Sequence, residues 1–411
     1  MTRLPSPPPP EVVDRDDRLA ELARRWLCEP AVGLDTEFVR ERTFFPRLGL
    51  IQVADSAGCY LVDTVAVRDR SGLEEVIRSR VVTKVFHSPS EDLEILHHVF
   101  GFAPERLFDC QVAATLCGLG GSLGYVHLVS RLFDVELAKG VQRSNWLRRP
   151  LSEEQVRYAG LDVAYLLPAH EQLRARLAET GREAWAGEEF DRLLRAAEAR
   201  LDPEWSFKRL GRPGMSRRQL AALRAVCEWR ERRARRRDLP RGFVLRDETV
   251  IDLARRIPRN GQELAAVKGL GPKQARRYGP ALLDLLRGAV ALPESDLPRR
   301  LERSGGRSSS RLVERLRELV ARVAGELDLP AETLVPRRTL EAWAARSLER
   351  GAWVWPGEIE GWRRSVLEPR VEGAGLLEAS KRSRRGRGRA RRGRSGTASR
   401  AAAPRDRQGG S

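Results

Sequence analysis

Two acidic residues stand at alternate positions in a stretch that otherwise has the composition of a buried strand. In "AVGLDTEFV", Asp35 and Glu37 are separated by one residue, so on a strand both side chains point to the same face. Two neighbouring carboxylates raise each other's pKa unless something positive lies between them. The pair is either solvated at a sheet edge, neutralised by arginines such as Arg40 and Arg42, or bound to a hard divalent ion such as Mg²⁺ or Mn²⁺.

A third acid follows the segment "TKVFHSPSEDLEIL". Asp92 falls in the first turn of a predicted helix, where an acid often interacts only with the helix dipole, as Glu91 is expected to do. The strand–loop–helix setting can instead place Asp92 at the end of the sheet, facing the first pair. His87 in the same segment is a ligand, a base or a structural hydrogen-bonding histidine.

The segment "LSEEQVRYAGLDVAYLLPAH" adds a tyrosine and a fourth acid. Ser152, with an acid or amide two to three residues on, predicts a helix start, and Tyr158 and Asp162 stand at i and i+4 on one face of that helix. The two side chains form either a surface contact or a phenol beside a metal-bound carboxylate, placed to orient a water molecule.

The elements that must position these residues predict an α/β domain. Residues 31–38, 48–55 and 59–67 are expected to be strands of one antiparallel group, and 83–88 a further strand. Residues 71–79 and 90–101 are expected to be helices, capped by Ser71 and Ser90. After residue 110 the pattern is almost wholly helical, with a break at 201–215.

Composition narrows the class of protein. The chain has 411 residues, enough for two or three domains, and its net charge is +18. Residues 381–411 carry +11 of that charge, which leaves +7 for the other 380, so charge alone favours a nucleic-acid partner only weakly. Five scattered cysteines predict reduced thiols in a cytoplasmic protein, and neither a signal peptide nor a membrane-spanning segment is expected.

A repeat is visible in the second half of the chain. Residues 238–256, "DLPRGFVLRDETVIDLARR", align without a gap over residues 328–346, "DLPAETLVPRRTLEAWAAR". Six of the nineteen positions are identical, and each copy follows an amphipathic helix. Two related helical modules are therefore predicted, although the abundance of Arg and Ala makes a chance match the alternative.

The order Asp-x-Glu, Asp, Tyr-x-x-x-Asp is far more specific than any of its parts. It resembles the DEDD exonuclease superfamily in its tyrosine branch. "LDTEFVRERTFFPRLGLIQ", "HSPSEDLEIL", "FDCQVAA" and "RPLSEEQVRYAGLDVAYLLP" resemble the bacterial ribonuclease D family, and the two helical modules resemble its HRDC domains. The similarity spans residues 25–375, with one departure, Asn145, where the family is expected to carry Asp.

The resemblance implies a ribonuclease H-like α/β exonuclease domain, a mixed sheet with flanking helices, followed by two all-α HRDC domains. The implied activity is 3′→5′ hydrolysis of RNA to 5′-mononucleotides, notably on tRNA precursors with 3′ extensions, by a monomer using two divalent ions. Asp35, Glu37, Asp92 and Asp162 would hold the ions, and Tyr158 would align the attacking water. A 3′→5′ exodeoxyribonuclease and a non-catalytic RNA-binding protein are the alternatives.

The expected domains are a disordered Pro-rich start, an exonuclease domain, two helical domains and a disordered Arg/Gly tail. Their predicted bounds are 1–14, 15–205, 206–292, 296–378 and 379–411. The helical modules and the tail would contact RNA, with a solvated helix face and a solubilising tail as alternatives. The candidate RNA contacts are Arg217, Arg218, Arg232, Arg233, Arg236, Lys268 and Lys273.

Overall fold

The computed structural model describes residues 6–137, 144–202, 204–300 and 307–377. The Arg/Gly tail predicted at 379–411 lies outside the described residues. These residues divide into two compact units, the first made of the described part of the chain up to residue 300 with 327–330, the second of 307–326 and 331–377. Among the described residues, no helix has the length and apolar composition that crossing a bilayer requires.

The first unit contains one mixed sheet of six strands, in the order β1-β4-β3-β2-β5-β6. The strands are β1 (Glu11–Val13), β2 (Ala31–Val39), β3 (Arg47–Ala54), β4 (Cys59–Asp63), β5 (Thr83–Phe86) and β6 (Leu107–Asp109). Strands β2, β3 and β4 are antiparallel neighbours, whereas β1, β5 and β6 join in parallel. The predicted mixed sheet and its antiparallel group are confirmed.

Helices surround the sheet and then take over the chain. Those of the α/β region are α1 (Asp16–Trp26), α2 (Ser71–Arg78), α3 (Ser90–Phe100), α4 (Cys110–Leu116), α5 (Tyr125–Phe133), α6 (Glu153–Ala164), α7 (Leu166–Glu179) and α8 (Glu183–Leu201). Helices α6 and α7 pack directly on the sheet. The central strand β3 is buried over most of its length, which is why it is apolar at consecutive rather than alternate positions.

The helical part of the first unit follows without further strands among its described residues. It consists of α9 (Trp205–Leu210), α10 (Arg217–Arg237), α11 (Arg241–Val244), α12 (Asp247–Arg256), α13 (Gly261–Ala265) and α14 (Pro272–Ala291). Ser216 starts α10 with a capping box, in which its side chain accepts from the Gln219 backbone N–H. Leu220, Leu253 and Leu282 meet in the apolar core of this region.

The second unit is all helical as well, with α15 (Arg307–Glu326), α16 (Ala331–Leu334), α17 (Arg337–Arg350) and α18 (Trp362–Gly373). Its core includes Leu312, Leu316 and the fully buried ring of Trp343, whose centroid lies 4.7 Å from that of Trp355. Helices α15, α16 and α17 follow the same order of lengths as α10, α11 and α12: a long helix, a short one of four residues and one of intermediate length. Asp238 and Asp328, aligned in the sequence repeat, both adopt left-handed backbone conformations, with φ of 47° and 52°. These likenesses support the repeat; a second HRDC domain stays a prediction.

Two local predictions were wrong. The segment expected to be disordered, 1–14, contains β1, because Val12 and the neighbouring residues pair with the edge of β4. Ser71 and Ser90 are the first residues of α2 and α3 rather than their N-caps, and neither helix has a side-chain cap hydrogen bond. The Ser71 backbone N–H instead binds Asp69.

Candidate active site

Strand β2 carries the first two acids on one face, as their spacing predicted. Asp35 pairs across the sheet with Gln52 of β3, and Glu37 pairs with Leu50. A bulge shifts the register directly after Glu37, and the pairing with β3 then continues to Val39. Both acids keep a solvent-accessible part, so a ligand can reach them.

Asp92 reaches β2 because β2 is longer than its neighbour β5. The two strands pair only over Ala31–Gly33, and β5 then ends, so the chain turns into α3 beside the second half of β2. There the Thr36 hydroxyl donates a hydrogen bond to the buried carboxylate of Asp92. The first turn of α3 thus occupies the place that a strand would have taken, and it brings a third carboxylate to the edge of β2.

Helix α6 supplies Tyr158 and Asp162. Its N-terminus is fixed by the capping box between Ser152 and Gln155, as the sequence predicted. Its buried face sets Ala159 among Leu50, Leu61 and Trp146. The Tyr158 hydroxyl and the Asp162 carboxylate lie close enough to shift each other's pKa, so the two side chains do share one face.

The N-terminal segment packs against α6 at Gly160. A Cβ atom on Gly160 would lie 2.7 Å from Cγ of Pro10, closer than two such atoms can approach. Only glycine therefore allows the Pro-rich segment to pack directly on the helix that carries Tyr158 and Asp162.

The four carboxylates lie close enough to hinder one another's ionisation. Burial and the carboxylates of Asp92, Asp162 and Glu37 raise the pKa of Asp35 well above its usual range. Burial, followed by the same neighbouring acids, raises the pKa of Glu37 to about 9. Burial also raises the pKa of Asp92 to about 6 and that of Asp162 to about 7, although the neighbouring hydroxyls of Thr36 and Tyr158 act in the opposite direction.

Arg40, one of the two arginines that could have neutralised Asp35 and Glu37, pairs with a different acid. Arg40 forms an ion pair with Glu94, two residues after Asp92 in α3. The principal causes of the pKa shifts of Asp35, Glu37 and Asp162 are burial, neighbouring carboxylates and nearby hydrogen-bonding groups, and they include no arginine or lysine. The alternative of an arginine-neutralised pair therefore loses its best candidate.

The donor set fits divalent metal ions. Oxygen ligands are those that Mg²⁺ and Mn²⁺ prefer, and positive charge would relieve the repulsion that raises these pKa values. Within the described part of the chain, no three or more His, Cys, Asp and Glu side chains are already arranged to hold an ion. The fit rests on the chemistry of the four acids.

Several polar residues near the site were missed from the sequence. Gln52, opposite Asp35, is fully buried, and neither atom of its amide finds a hydrogen-bond partner among the described residues. The Tyr125 hydroxyl donates to the Leu161 carbonyl and accepts from the Tyr165 backbone N–H, which fixes the end of α6 next to Asp162. Neither residue belongs to a spacing pattern, so nothing in the sequence singled them out.

The ring of His87 lies edge-on to that of Tyr125, with the centroids 5.6 Å apart. Burial lowers the pKa of His87 to about 4, so the ring is neutral at ordinary pH. This environment favours a structural role over a base. All five cysteines, which lie within the described residues, are unpaired thiols, as predicted.

The residues predicted to contact RNA have different environments. Arg217 and Arg218 donate to carbonyls that follow the end of α14, including those of Leu297 and Leu292, and both pair with Glu294. These two arginines therefore brace the helical region.

The other predicted contacts lie along the outside of α10 and around α13 and α14. Arg233 packs over the rings of Trp229 and Tyr278. The side chains that are exposed are those of Arg232, Arg236, Lys268 and Lys273. Their contact with RNA stays a prediction.

Comparison with known proteins gives a consistent result for both parts of the first unit. A family model described as 3′-5′ exonuclease matches residues 10–178, and the HRDC domain model matches residues 219–286. Ribonuclease D of Pseudomonas paraeruginosa is 38% identical over 89% of this chain and 96% of its own. Ribonuclease D of Escherichia coli is 35% identical over 87% of this chain and 96% of its own.

Solved structures agree. The crystal structure of Escherichia coli RNase D, an exoribonuclease involved in structured RNA processing, superposes with a TM-score of 0.79 at 33% identity, covering 90% of this chain and 99% of that one. The catalytic core of RRP6 from Trypanosoma brucei superposes with a TM-score of 0.53 at 25% identity, covering 71% and 83% of the two chains.

Proposed function

The chain belongs to the ribonuclease D family of 3′→5′ exoribonucleases, and on that premise we propose which residues perform the hydrolysis and on which RNA. The reaction takes place at Asp35, Glu37, Asp92, Tyr158 and Asp162. It releases 5′-mononucleotides from the 3′ ends of tRNA precursors. The observation that supports this assignment is the convergence of four acids from β2, α3 and α6. The pKa of each of the four carboxyl groups is raised above its usual value.

The enzyme depends on divalent metal ions, and we propose two of them, Mg²⁺ or Mn²⁺. When bound, such ions supply an activated water as nucleophile and charge stabilisation for the leaving 3′-oxygen. Asp35, Glu37, Asp92 and Asp162 would together hold these ions. Four carboxylates carry enough negative charge to hold two divalent ions beside a phosphate.

The protein's own groups then orient the reactants. The Tyr158 hydroxyl, which lies near Asp162, would align the attacking water and would not form a covalent bond. Thr36 fixes the Asp92 carboxylate, so that one oxygen is committed to the strand. The apolar packing of Ala159 against Leu50 and Leu61 holds α6 against the sheet.

RNA is the substrate class of the family, and tRNA precursors with 3′ extensions are our proposal for the natural substrates. We also propose that the enzyme works as a monomer in the cytoplasm. The helical region, with Arg232, Arg236, Lys268 and Lys273 exposed, would guide the 3′ end of the RNA toward the site.

The test is a nuclease assay on a 3′-extended tRNA and on a DNA strand of the same sequence, each with Mg²⁺, with Mn²⁺ and with a chelator. Metal-dependent release of mononucleotides from RNA is expected, and it is expected to disappear in the chelator. Faster release from DNA would favour the exodeoxyribonuclease alternative. No release from any 3′-hydroxyl RNA with either metal would leave the protein as a non-catalytic RNA binder.

A further inference from the structure

The loop that follows the catalytic strand, residues 40–46, is bound by the helical region of the same unit. The backbone N–H groups of Phe44 and Phe45 both donate to Oδ1 of Asp238, at 2.9 and 3.0 Å. Asp238 is the residue that ends α10, almost two hundred positions further along the chain. One carboxylate oxygen thus holds two consecutive peptide groups of the loop.

The ring of Phe44 is fixed by cations as well. It is 5% exposed and packs in the apolar core of the helical region. The guanidinium groups of Arg241 and Arg235 lie 4.5 and 5.4 Å from its centroid, within the range of cation–π attraction. Both arginines are in turn held by the buried carboxylate of Glu231, at 2.6 and 3.0 Å. Apolar packing and cation–π contacts therefore both hold the loop against the helical region.

The same loop is bound to the helix that carries Asp92. Arg40 donates to the Phe44 carbonyl at 3.2 Å and pairs with Glu94 of α3. The ring of Phe45 stacks on His98 of α3, with centroids 4.2 Å apart and planes within 7°. Because the loop begins where β2 ends, it connects the helical region to both elements that supply Asp35, Glu37 and Asp92.

Aspartate is an unexpected residue for the local backbone at position 238. The φ of 47° is left-handed, where glycine or asparagine is preferred at a helix end. A negative charge at a helix C-terminus is also unfavourable toward the helix dipole. The two hydrogen bonds to the loop, and the arginines around it, give a reason for an acid there that the helix itself does not.

We propose that Asp238 is a positioning residue for the nuclease site. By holding Phe44 and Phe45 it fixes the loop, and through the loop it fixes the end of β2 and helix α3. The first helical region would then be part of the scaffold of the active site, in addition to any role in guiding RNA. This inference rests on the proposed function of Asp35, Glu37 and Asp92.

The chain offers a matched pair of variants. Asp238→Asn keeps an acceptor oxygen and tolerates the left-handed backbone, whereas Asp238→Gly keeps only the backbone conformation. We expect Asp238→Gly to lower kcat on a saturating single-stranded RNA by about 10- to 100-fold, with KM changed less than about twofold. Its Mn²⁺ affinity, measured without RNA by isothermal titration calorimetry, should fall by about tenfold. Asp238→Asn should resemble the wild type in both measurements.

Several results would overturn the proposal while leaving the nuclease function intact. Wild-type kcat and Mn²⁺ affinity in Asp238→Gly would do so, as would a loss confined to KM or an equal loss in Asp238→Asn. If Asp238→Gly does not fold, Phe44→Leu keeps an apolar side chain but removes the cation–π contacts, and the same two losses are expected. An inactive wild type would instead count against the proposed function itself.

Discussion

The Thr36 hydroxyl donates a hydrogen bond to Asp92, which joins the strand bearing two acids to the helix bearing the third. The contact exists because β2 continues beyond the last residue paired with β5. Both partners are at least nine-tenths buried, so water does not readily replace the missing partner if one is removed.

Replacing Thr36 by valine keeps the shape of the side chain and removes this donor. We expect a loss of about 1–3 kcal/mol in the free energy of unfolding, since a buried acid loses a partner. Nucleotide release should fall as well, because Asp92 is then less well fixed. Thr36→Ser keeps the hydroxyl and serves as the control. Urea unfolding and a nuclease assay of the two variants make the comparison; equal stability of Thr36→Val and wild type would contradict it.

Asp35→Asn and Asp162→Asn should each reduce metal-dependent nucleotide release by more than about a hundredfold, since each removes a charge proposed to hold the ions. In the presence of chelator neither variant should be less stable than the wild type, because each relieves repulsion among the acids. Nuclease assays and thermal unfolding of the same samples test both statements. A variant that retains wild-type release would place the chemistry elsewhere.

Metal ions should stabilise the folded protein even when RNA is absent. A ligand present at a hundred times its dissociation constant adds about 2.7 kcal/mol to the free energy of unfolding. Titrating Mn²⁺ into the wild type should therefore raise Tm, and the increase should be absent in Asp35→Asn. An equal increase in both proteins would show that the ions bind outside the proposed site.

Tyr158→Phe should lower kcat by about 100-fold, because the attacking water would no longer be aligned, with little change in KM. The hydroxyl is the only group removed, and its interaction with Asp162 is lost with it. The ring continues to pack near Trp146, 6.1 Å between centroids, so the unfolding temperature should change little. A large change in KM would instead indicate that the hydroxyl binds the substrate.

Lys84 gives a pH dependence that is separate from the nuclease site. Its ammonium group is fully buried and donates to the carbonyls of Ser79 and Val82. Burial lowers the pKa of Lys84 to about 8. The unfolded chain, with a pKa near 10.4 for this group, keeps the proton longer, so stability should rise as pH increases from about 8 to 10.4.

The size of this effect is at most about 3 kcal/mol. Other groups titrate in the same range, and Lys84→Met is the control that removes only this contribution. Urea unfolding at several pH values should show the wild type gaining stability relative to Lys84→Met as pH rises. A constant difference between the two proteins would contradict the shifted pKa.

The double variant Arg232→Ala with Arg236→Ala tests the proposed RNA path. Both arginines are exposed on α10, and a nitrogen of Arg232 lies 3.6 Å from an oxygen of Glu228. We expect KM for RNA to rise severalfold and kcat to stay unchanged. The slope of log K against log salt concentration should become shallower by the amount expected for the loss of about two phosphate contacts. Filter binding at several salt concentrations provides the measurement. Unchanged binding would leave these residues as a solvated helix face.

The sequence could predict relations that depend on local periodicity. The same-face positions of Asp35 and Glu37 follow from the strand period, and the contact of Tyr158 with Asp162 follows from the helix period. The proximity of Asp92 could only be expected from a strand–loop–helix setting, because it depends on how far β2 extends past β5.

Contacts between distant parts of the chain were beyond such patterns. Nothing near Asp238 indicates that it binds Phe44 and Phe45, since the relation exists only after the helical region has folded against the α/β domain. The strand β1 was missed for a similar reason: three residues beside a run of prolines carry too weak a pattern, and pairing with β4 decides their structure.

The contact between Pro10 and Gly160 bears on how the nuclease can be shortened or fused to other proteins. A chain begun at residue 15, where the sequence alone would start the exonuclease domain, would lack both β1 and the proline that covers α6. The backbone of α6 at Gly160, which Pro10 covers in the full chain, would then be exposed to solvent. Affinity tags are therefore better joined before the Pro-rich segment than in place of it.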